Sequence, residues 1–159
     1  MAPSHAQRKT ASFESSYPAL PAMIWRARTA VASLAASAGA DEEQLDRIRL
    51  AVSEAVCNAV LHAYPQAAGE VHVAAAVIDG ELSVIVADDG CGLGGASESS
   101  GLGLGMALMA QMCDSLTFTG RASAGMQVEM RMWLAGVGPQ AERARLPAKL
   151  EKTRAPGDS

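Results

Sequence analysis

Aromatic residues are scarce, at 4% of the 159-residue chain. A core must therefore be built from aliphatic and small side chains, and alanine alone supplies about a fifth of the residues. Cysteine occurs three times, at 57, 91 and 113, and never as a CxxC pair. That sets aside a zinc finger and a secreted disulfide scaffold. An odd cysteine count, behind an N-terminus with no apolar stretch, predicts reduced thiols in a cytoplasmic protein. There is no basic excess. The net charge is -4, so the electrostatic footprint of a nucleic-acid binder is missing. No apolar run approaches the roughly 20 residues that cross a bilayer, and no membrane role is expected. No GxxxxGK[ST] string occurs, which excludes a P-loop.

What is present suits one folded domain. Half of the chain is hydrophobic (49%) and 19% is charged, enough apolar material for a single core. Residues 1–11 are polar and read as a disordered terminus, although the weak alternation over 11–17 also fits an edge strand. Pro18 and Pro21 break the chain. Residues 23–38 favour a helix that stops at Gly39. Asp41 caps a second helix, with Glu42 and Glu43 in its first turn and apolar residues at helical spacing to about His62. Val71, Val73, Ala75 and Val77 then alternate as in a strand. Asp79-Gly80 signals a hairpin, and Leu82, Val84 and Val86 continue on the return strand. A Gly/Ser-rich loop spans 89–105, a third helix 104–112, and two strands 115–119 and 126–134. Residues 135–159 read as a disordered tail, with a short helix near 140–146 as an alternative within it. Without βαβ alternation, the order predicts an α+β two-layer sandwich: a mixed, mainly antiparallel sheet with helices on one face.

Three constellations carry potential chemistry. Glu54 and Asn58 are four apart and share one helix face. A carboxylate and an amide oxygen there suit a divalent cation or a proton transfer, and equally a solvated polar stripe. Asp88-Asp89-Gly90-Cys91-Gly92 closes an apolar strand. A carboxylate at that point suits a ligand N–H, glycines 90 and 92 allow close backbone approach, and an ordinary turn has the same composition. Gly101-Leu102-Gly103-Leu104-Gly105-Met106 opens a helix, so its N–H groups suit an anion. Its GxGxG spacing is not the dinucleotide GxGxxG, and a flexible hinge is the plain alternative.

The order of the three is more specific than any one of them. Glu-x-x-x-Asn on a helix, Asp-x-Gly-x-Gly after a hairpin strand and Gly-x-Gly opening a helix together resemble the Bergerat ATP-binding fold of gyrase, Hsp90, mismatch-repair ATPases and histidine kinases. Residues 51–64, Ala-Val-Ser-Glu-Ala-Val-Cys-Asn-Ala-Val-Leu-His-Ala-Tyr, are particularly similar to the stand-alone anti-sigma factor serine/threonine kinases of bacteria. The resemblance covers residues 12–134 and makes that span an ATPase-type kinase domain. It implies ATP and Mg²⁺ as cofactors, with Glu54 as general base toward a Ser or Thr hydroxyl and Asn58 as the Mg²⁺ ligand. It implies that Asp88 accepts the adenine amino group, that Gly90 and Gly92 pass close to the base, and that residues 93–100, from Leu93, form a lid. Backbone N–H groups of Gly101, Leu102, Gly103, Leu104, Gly105 and Met106 would meet the phosphates, with His62 nearby. Arg28 would contact a partner. The implied partners are an anti-anti-sigma (STAS-type) protein, a sigma factor and a second copy of the chain.

Two departures stand out. The 93–100 segment has no Lys or Arg, and Ser99 and Ser100 stand where many relatives carry a basic residue. The last strand of the family usually begins Gly-Thr, whereas this chain has Gly125-Met126. The first implies a missing contact to the γ-phosphate, and the second implies weaker nucleotide binding. The competing expectations are therefore a nucleotide-gated binding switch with little turnover, or an ATPase domain serving a larger complex.

Overall fold

The computed structural model describes residues 11–64, 68–90, 102–121 and 124–134. The expected disordered terminus, lid and tail fall outside those residues, apart from Ala11. In chain order the elements are β1 (Ala11–Pro18), α1 (Pro21–Ser37), α2 (Glu42–Asn58), a π-helical turn (Ala59–Ala63), β2 (Glu70–Ile78), β3 (Glu81–Asp88), α3 (Leu102–Met112), β4 (Ser115–Gly120) and β5 (Met126–Trp133).

The sheet runs β1-β2-β3-β5-β4. All four pairings are antiparallel, so the mainly antiparallel sheet expected from the sequence has no parallel pair among the described residues. Two of the connections are hairpins, and a hairpin enforces antiparallel pairing. At the β2–β3 hairpin, Asp79 and Gly80 both take positive φ, 56° and 81°, the geometry that an Asp-Gly pair favours. β1 is an edge strand, as its weak alternation suggests.

Period-two patterning sets the core. Val71, Val73, Ala75 and Val77 of β2 face Leu82, Val84 and Val86 of β3 and Val128, Met130 and Met132 of β5 on one buried side. Against them lie Val31 and Ala35 of α1, Ile48, Val52 and Val56 of α2, and Met109 of α3. Each large aliphatic buried there contributes about 1.5–3 kcal/mol of transfer free energy. α2 packs against both other helices, so its polar stripe faces whatever α3 brings to it.

Local signals explain the helix ends. Asp41 and Gln44 form a reciprocal capping box: the Gln44 N–H donates to Asp41 Oδ1 at 2.8 Å, and the Asp41 N–H donates to Gln44 Oε1 at 3.2 Å. Gln44 also donates from Nε2 to the Trp133 carbonyl at 2.9 Å, tying the helix start to the end of β5. α1 begins at Pro21, two residues before the sequence expectation, because proline at the first helical position forfeits no hydrogen bond. It ends at Ser37, and Gly39, two residues on, turns the chain with a φ of +99°. The second helix also differs from expectation. Its α-helical part ends at Asn58, and the stretch to Ala63 widens into a π turn, a feature that clusters at functional sites.

Candidate functional site

The C-terminal half of α2 is where the three sequence constellations meet. Glu54 and Asn58 stand one turn apart on it. Gly105, in the first half of α3, lies directly against them: a Cβ there would sit 2.8 Å from Glu54 Oε2 and 3.5 Å from Asn58 Oδ1. This contact explains why α3 starts at Leu102, inside the stretch that reads as a glycine-rich loop. Glycine is a poor helix former, but here its missing side chain lets α3 seat on α2. The N-terminal N–H groups of α3 therefore open beside a carboxylate and an amide, and suit an anionic ligand.

The second constellation is joined through the π turn. A Cβ on Gly90 would run into the carbonyl and Cβ of Ala63, the last residue of that turn. The turn after β3 is thus locked to the helix that carries Glu54 and Asn58. Asp88, at the end of β3, is buried with 5% exposure. Its Oδ1 accepts from the Gly90 N–H at 3.0 Å and from the Met126 N–H at 3.4 Å. Both of these donors, the ones found among the described residues, are directed at Oδ1 rather than Oδ2. Burial pushes the Asp88 carboxyl above the usual carboxylate range and the Asp89 charge adds to the rise, while the two backbone donors and the Arg121 guanidinium hold it back.

Gly125 packs against the Asp88 carbonyl with no room for a side chain. This refines the expectation about Met126. The Met126 side chain cannot replace a threonine hydroxyl, yet its backbone N–H holds Asp88 from the same place.

The remaining residues named from the sequence are less uniform. His62 sits half-buried in the π turn. Gly103 has open space around it, and Leu104 is 71% exposed. The Met106 side chain packs on the core, and its N–H falls within the hydrogen-bond ladder of a helix that begins at Leu102, so the expected phosphate contact is confined to the residues before it. Leu102 begins α3. Gly92, Leu93 and Gly101 lie outside the described residues. Arg28 is half-buried on α1, and no described hydrogen bond or ion pair joins it to Glu54, Asn58 or Asp88. Cys57 and Cys113 are free thiols. Burial, with the Glu54 carboxylate second, raises the Cys57 pKa, and burial raises Cys113 to about 12, so neither is an activated nucleophile.

Sequence reasoning missed three residues around Asp88. The Tyr64 hydroxyl accepts from the Asp89 N–H at 2.9 Å and donates to the Glu70 carbonyl at 2.8 Å. Arg121 Nη1 pairs with Asp89 Oδ1 at 2.9 Å and donates to the Asp88 carbonyl at 3.2 Å. His72 Nε2 lies 3.4 Å from Asp89 Oδ2, and its Nδ1 is 2.7 Å from Ser16 Oγ. These residues come from separate elements, and no spacing in the chain announces them.

A buried carboxylate at a strand end, a Glu/Asn pair on the central helix and a glycine-opened helix facing that pair come together in one α+β domain. The chain belongs to the histidine kinase-like ATPase domain family, which it matches over residues 17–132. Among its relatives are anti-sigma F factors. That of Clostridium acetobutylicum is 42% identical over 67 residues, 42% of this chain and 47% of that protein. That of Caldanaerobacter subterraneus is 29% identical over 119 residues, 68% and 83%. The serine-protein kinase RsbW of Bacillus subtilis is 37% identical over 78 residues, 48% and 49%. The chain thus spans about half the length of the first and last of these. In fold it is similar to the crystal structure of the RsbU and RsbW domains of a Mycobacterium tuberculosis protein, with a TM-score of 0.62 and 24% identity, over 78% of this chain and 32% of that one. Among the described residues no helix is long and apolar enough to cross a membrane.

Proposed function

We propose that this protein is an ATP- and Mg²⁺-dependent serine/threonine protein kinase that acts as an anti-sigma factor in the cytoplasm and phosphorylates a STAS-type anti-anti-sigma partner. The observation that carries this reading is the meeting of Glu54, Asn58 and Gly105 on one face of α2, coupled through Gly90 and Ala63 to Asp88. The names of the relatives support the activity and the class of partner.

The donor set fits Mg²⁺. No group of three or more His, Cys, Asp or Glu side chains gathers among the described residues to make a protein cage. Mg²⁺ commonly keeps its waters and binds through one or two protein oxygens plus substrate phosphates, which is what Asn58 Oδ1 offers. When bound, the ion neutralises phosphate charge. Asp88 Oδ2 accepts the adenine amino N–H. The N–H groups of the first turn of α3, those of Leu102, Gly103 and Leu104, have no acceptor within the helix and face the phosphates. Glu54 takes the proton of the incoming Ser or Thr hydroxyl as its oxygen bonds to the γ-phosphorus. The bond from that phosphorus to the bridging oxygen breaks, and ADP leaves. Positioning and charge do most of this work. Arg28, on the outer helix, is assigned to partner contact, and the chain works as a homodimer.

The test is transfer of labelled γ-phosphate to a STAS-domain protein encoded by the same genome. Stoichiometric labelling of one Ser or Thr supports the kinase. ATP binding without labelling favours the nucleotide-gated switch, the reading suggested by the absence of Lys and Arg from residues 93–100.

A further inference from the structure

The Asp88-Asp89 turn is gripped from two sides by residues with no part in the constellations read from the sequence. On one side is Tyr64, just beyond the π turn. Its ring is packed so closely on Gly69 that a Cβ there would overlap it. Its hydroxyl bridges the Asp89 N–H and the Glu70 carbonyl. On the other side is Arg121, at the start of the β4–β5 turn. The Arg121 N–H donates to the Gly125 carbonyl at 2.8 Å, closing that turn. One guanidinium nitrogen, Nη1, then holds both the Asp89 carboxylate and the Asp88 carbonyl. Gly125, in the same turn, lies against that carbonyl, and the next residue donates to Asp88 Oδ1.

The Asp88 side chain is therefore aimed by its surroundings. Its Oδ1 is fixed by two backbone donors, and the backbone that carries it is clamped by Tyr64 and Arg121. A carboxylate that reads a ligand N–H discriminates only while its free oxygen is held to within a few tenths of an ångström. We propose that Arg121, with Tyr64 opposite it, is a positioning residue for the nucleobase: the pair fixes the Asp88-Asp89 turn and thereby sets the preference of the site for adenine. This inference rests on the reading of Asp88 as the adenine acceptor.

The charged groups around Asp88 are Asp89 and Arg121, with His72 beyond Asp89. The Arg121 charge also favours the ionised, accepting form of Asp88. Its removal should weaken adenine recognition twice over, by loosening the turn and by protonating the acceptor at higher pH.

The experiment compares ATP with ITP, which carries a carbonyl in place of the amino group, by calorimetric titration of the full chain. Wild type, Asp88→Asn, Arg121→Ala, Arg121→Lys and Tyr64→Phe are measured across a pH series. The expected result is about tenfold weaker ATP binding for Arg121→Ala, with ITP binding unchanged. The acidic fall of its ATP affinity should begin at higher pH than in wild type. Arg121→Lys should recover part of the loss, since a single nitrogen makes both contacts. Tyr64→Phe keeps the ring and loses only the hydroxyl. It should lower the ATP:ITP ratio in the same direction, and it carries the test if Arg121→Ala does not fold. Equal loss of ATP and ITP, or no loss of either, overturns the inference alone, provided wild type prefers ATP and Asp88→Asn does not. A wild type with no preference for ATP overturns the adenine reading of Asp88, and this inference with it.

Discussion

Gly105 and Glu54 touch across the α2–α3 contact, with room for a carboxylate oxygen and none for a methyl group: a Cβ on Gly105 would lie 2.8 Å from Glu54 Oε2. The substitution Gly105→Ala therefore sets two effects against each other. Alanine favours a helix over glycine by up to about 1 kcal/mol, so the thermal midpoint should hold or rise slightly. The added methyl pushes the Glu54 carboxylate away from its place, and phosphoryl transfer should drop by about tenfold or more. Melting curves and partner phosphorylation on the same preparation check this. Unimpaired transfer would show that the placement of Glu54 does not matter.

Asp88 gives a pH signature. Its carboxyl titrates above the usual range, first because it is buried. A protonated Asp88 loses the charge that draws the adenine amino group. ATP affinity relative to ITP should therefore fall as the pH is lowered through that raised pKa, by about tenfold for each further pH unit. The effect on folding has the opposite sense. A folded-state pKa above the unfolded one contributes stability below the unfolded pKa and loses it as the pH rises through the folded value. Asp88→Asn should accordingly be as stable as wild type or more so at neutral pH. That difference should vanish in acid, as denaturant titrations at several pH values would record.

Glu54→Gln keeps the size of the side chain and removes the base. ATP binding should stay within about twofold, while transfer to the partner falls by roughly a hundredfold or more. Filter binding and a transfer time course separate the two. A variant that transfers at the wild-type rate would place the base elsewhere.

The capping box at Asp41 is remote from this chemistry. Asp41→Ala leaves the Gln44 N–H without its acceptor and should cost about 1 kcal/mol. The melting temperature should drop by a few degrees with ATP affinity unchanged.

The sequence carries the elements whose signals are local. Val71 to Val77 alternate, Asp79-Gly80 turns, and Asp41 caps because each of these depends on neighbours a few residues away. Glu54, Asn58 and Asp88 are visible for the same reason, since a short motif surrounds each of them. The start of α3 was hidden because Gly103 and Gly105 are poor helix formers, and only contact with α2 makes their bareness an advantage. The π turn after Asn58 was hidden because its residues also suit an α-helix, and its widening meets Gly90 from another element. Arg121 and Tyr64 were silent because their partners are brought to them by the sheet, 33 residues away in the case of Arg121 and the Asp88 carbonyl.

The most direct test of the account is a calorimetric titration of ATP, with and without Mg²⁺, into the wild-type protein and Asp88→Asn. Wild type should bind ATP, Mg²⁺ should strengthen that binding, and Asp88→Asn should lose it. No heat of binding at millimolar ATP, or equal affinity for the two proteins, would contradict it and leave a partner-binding domain without a nucleotide.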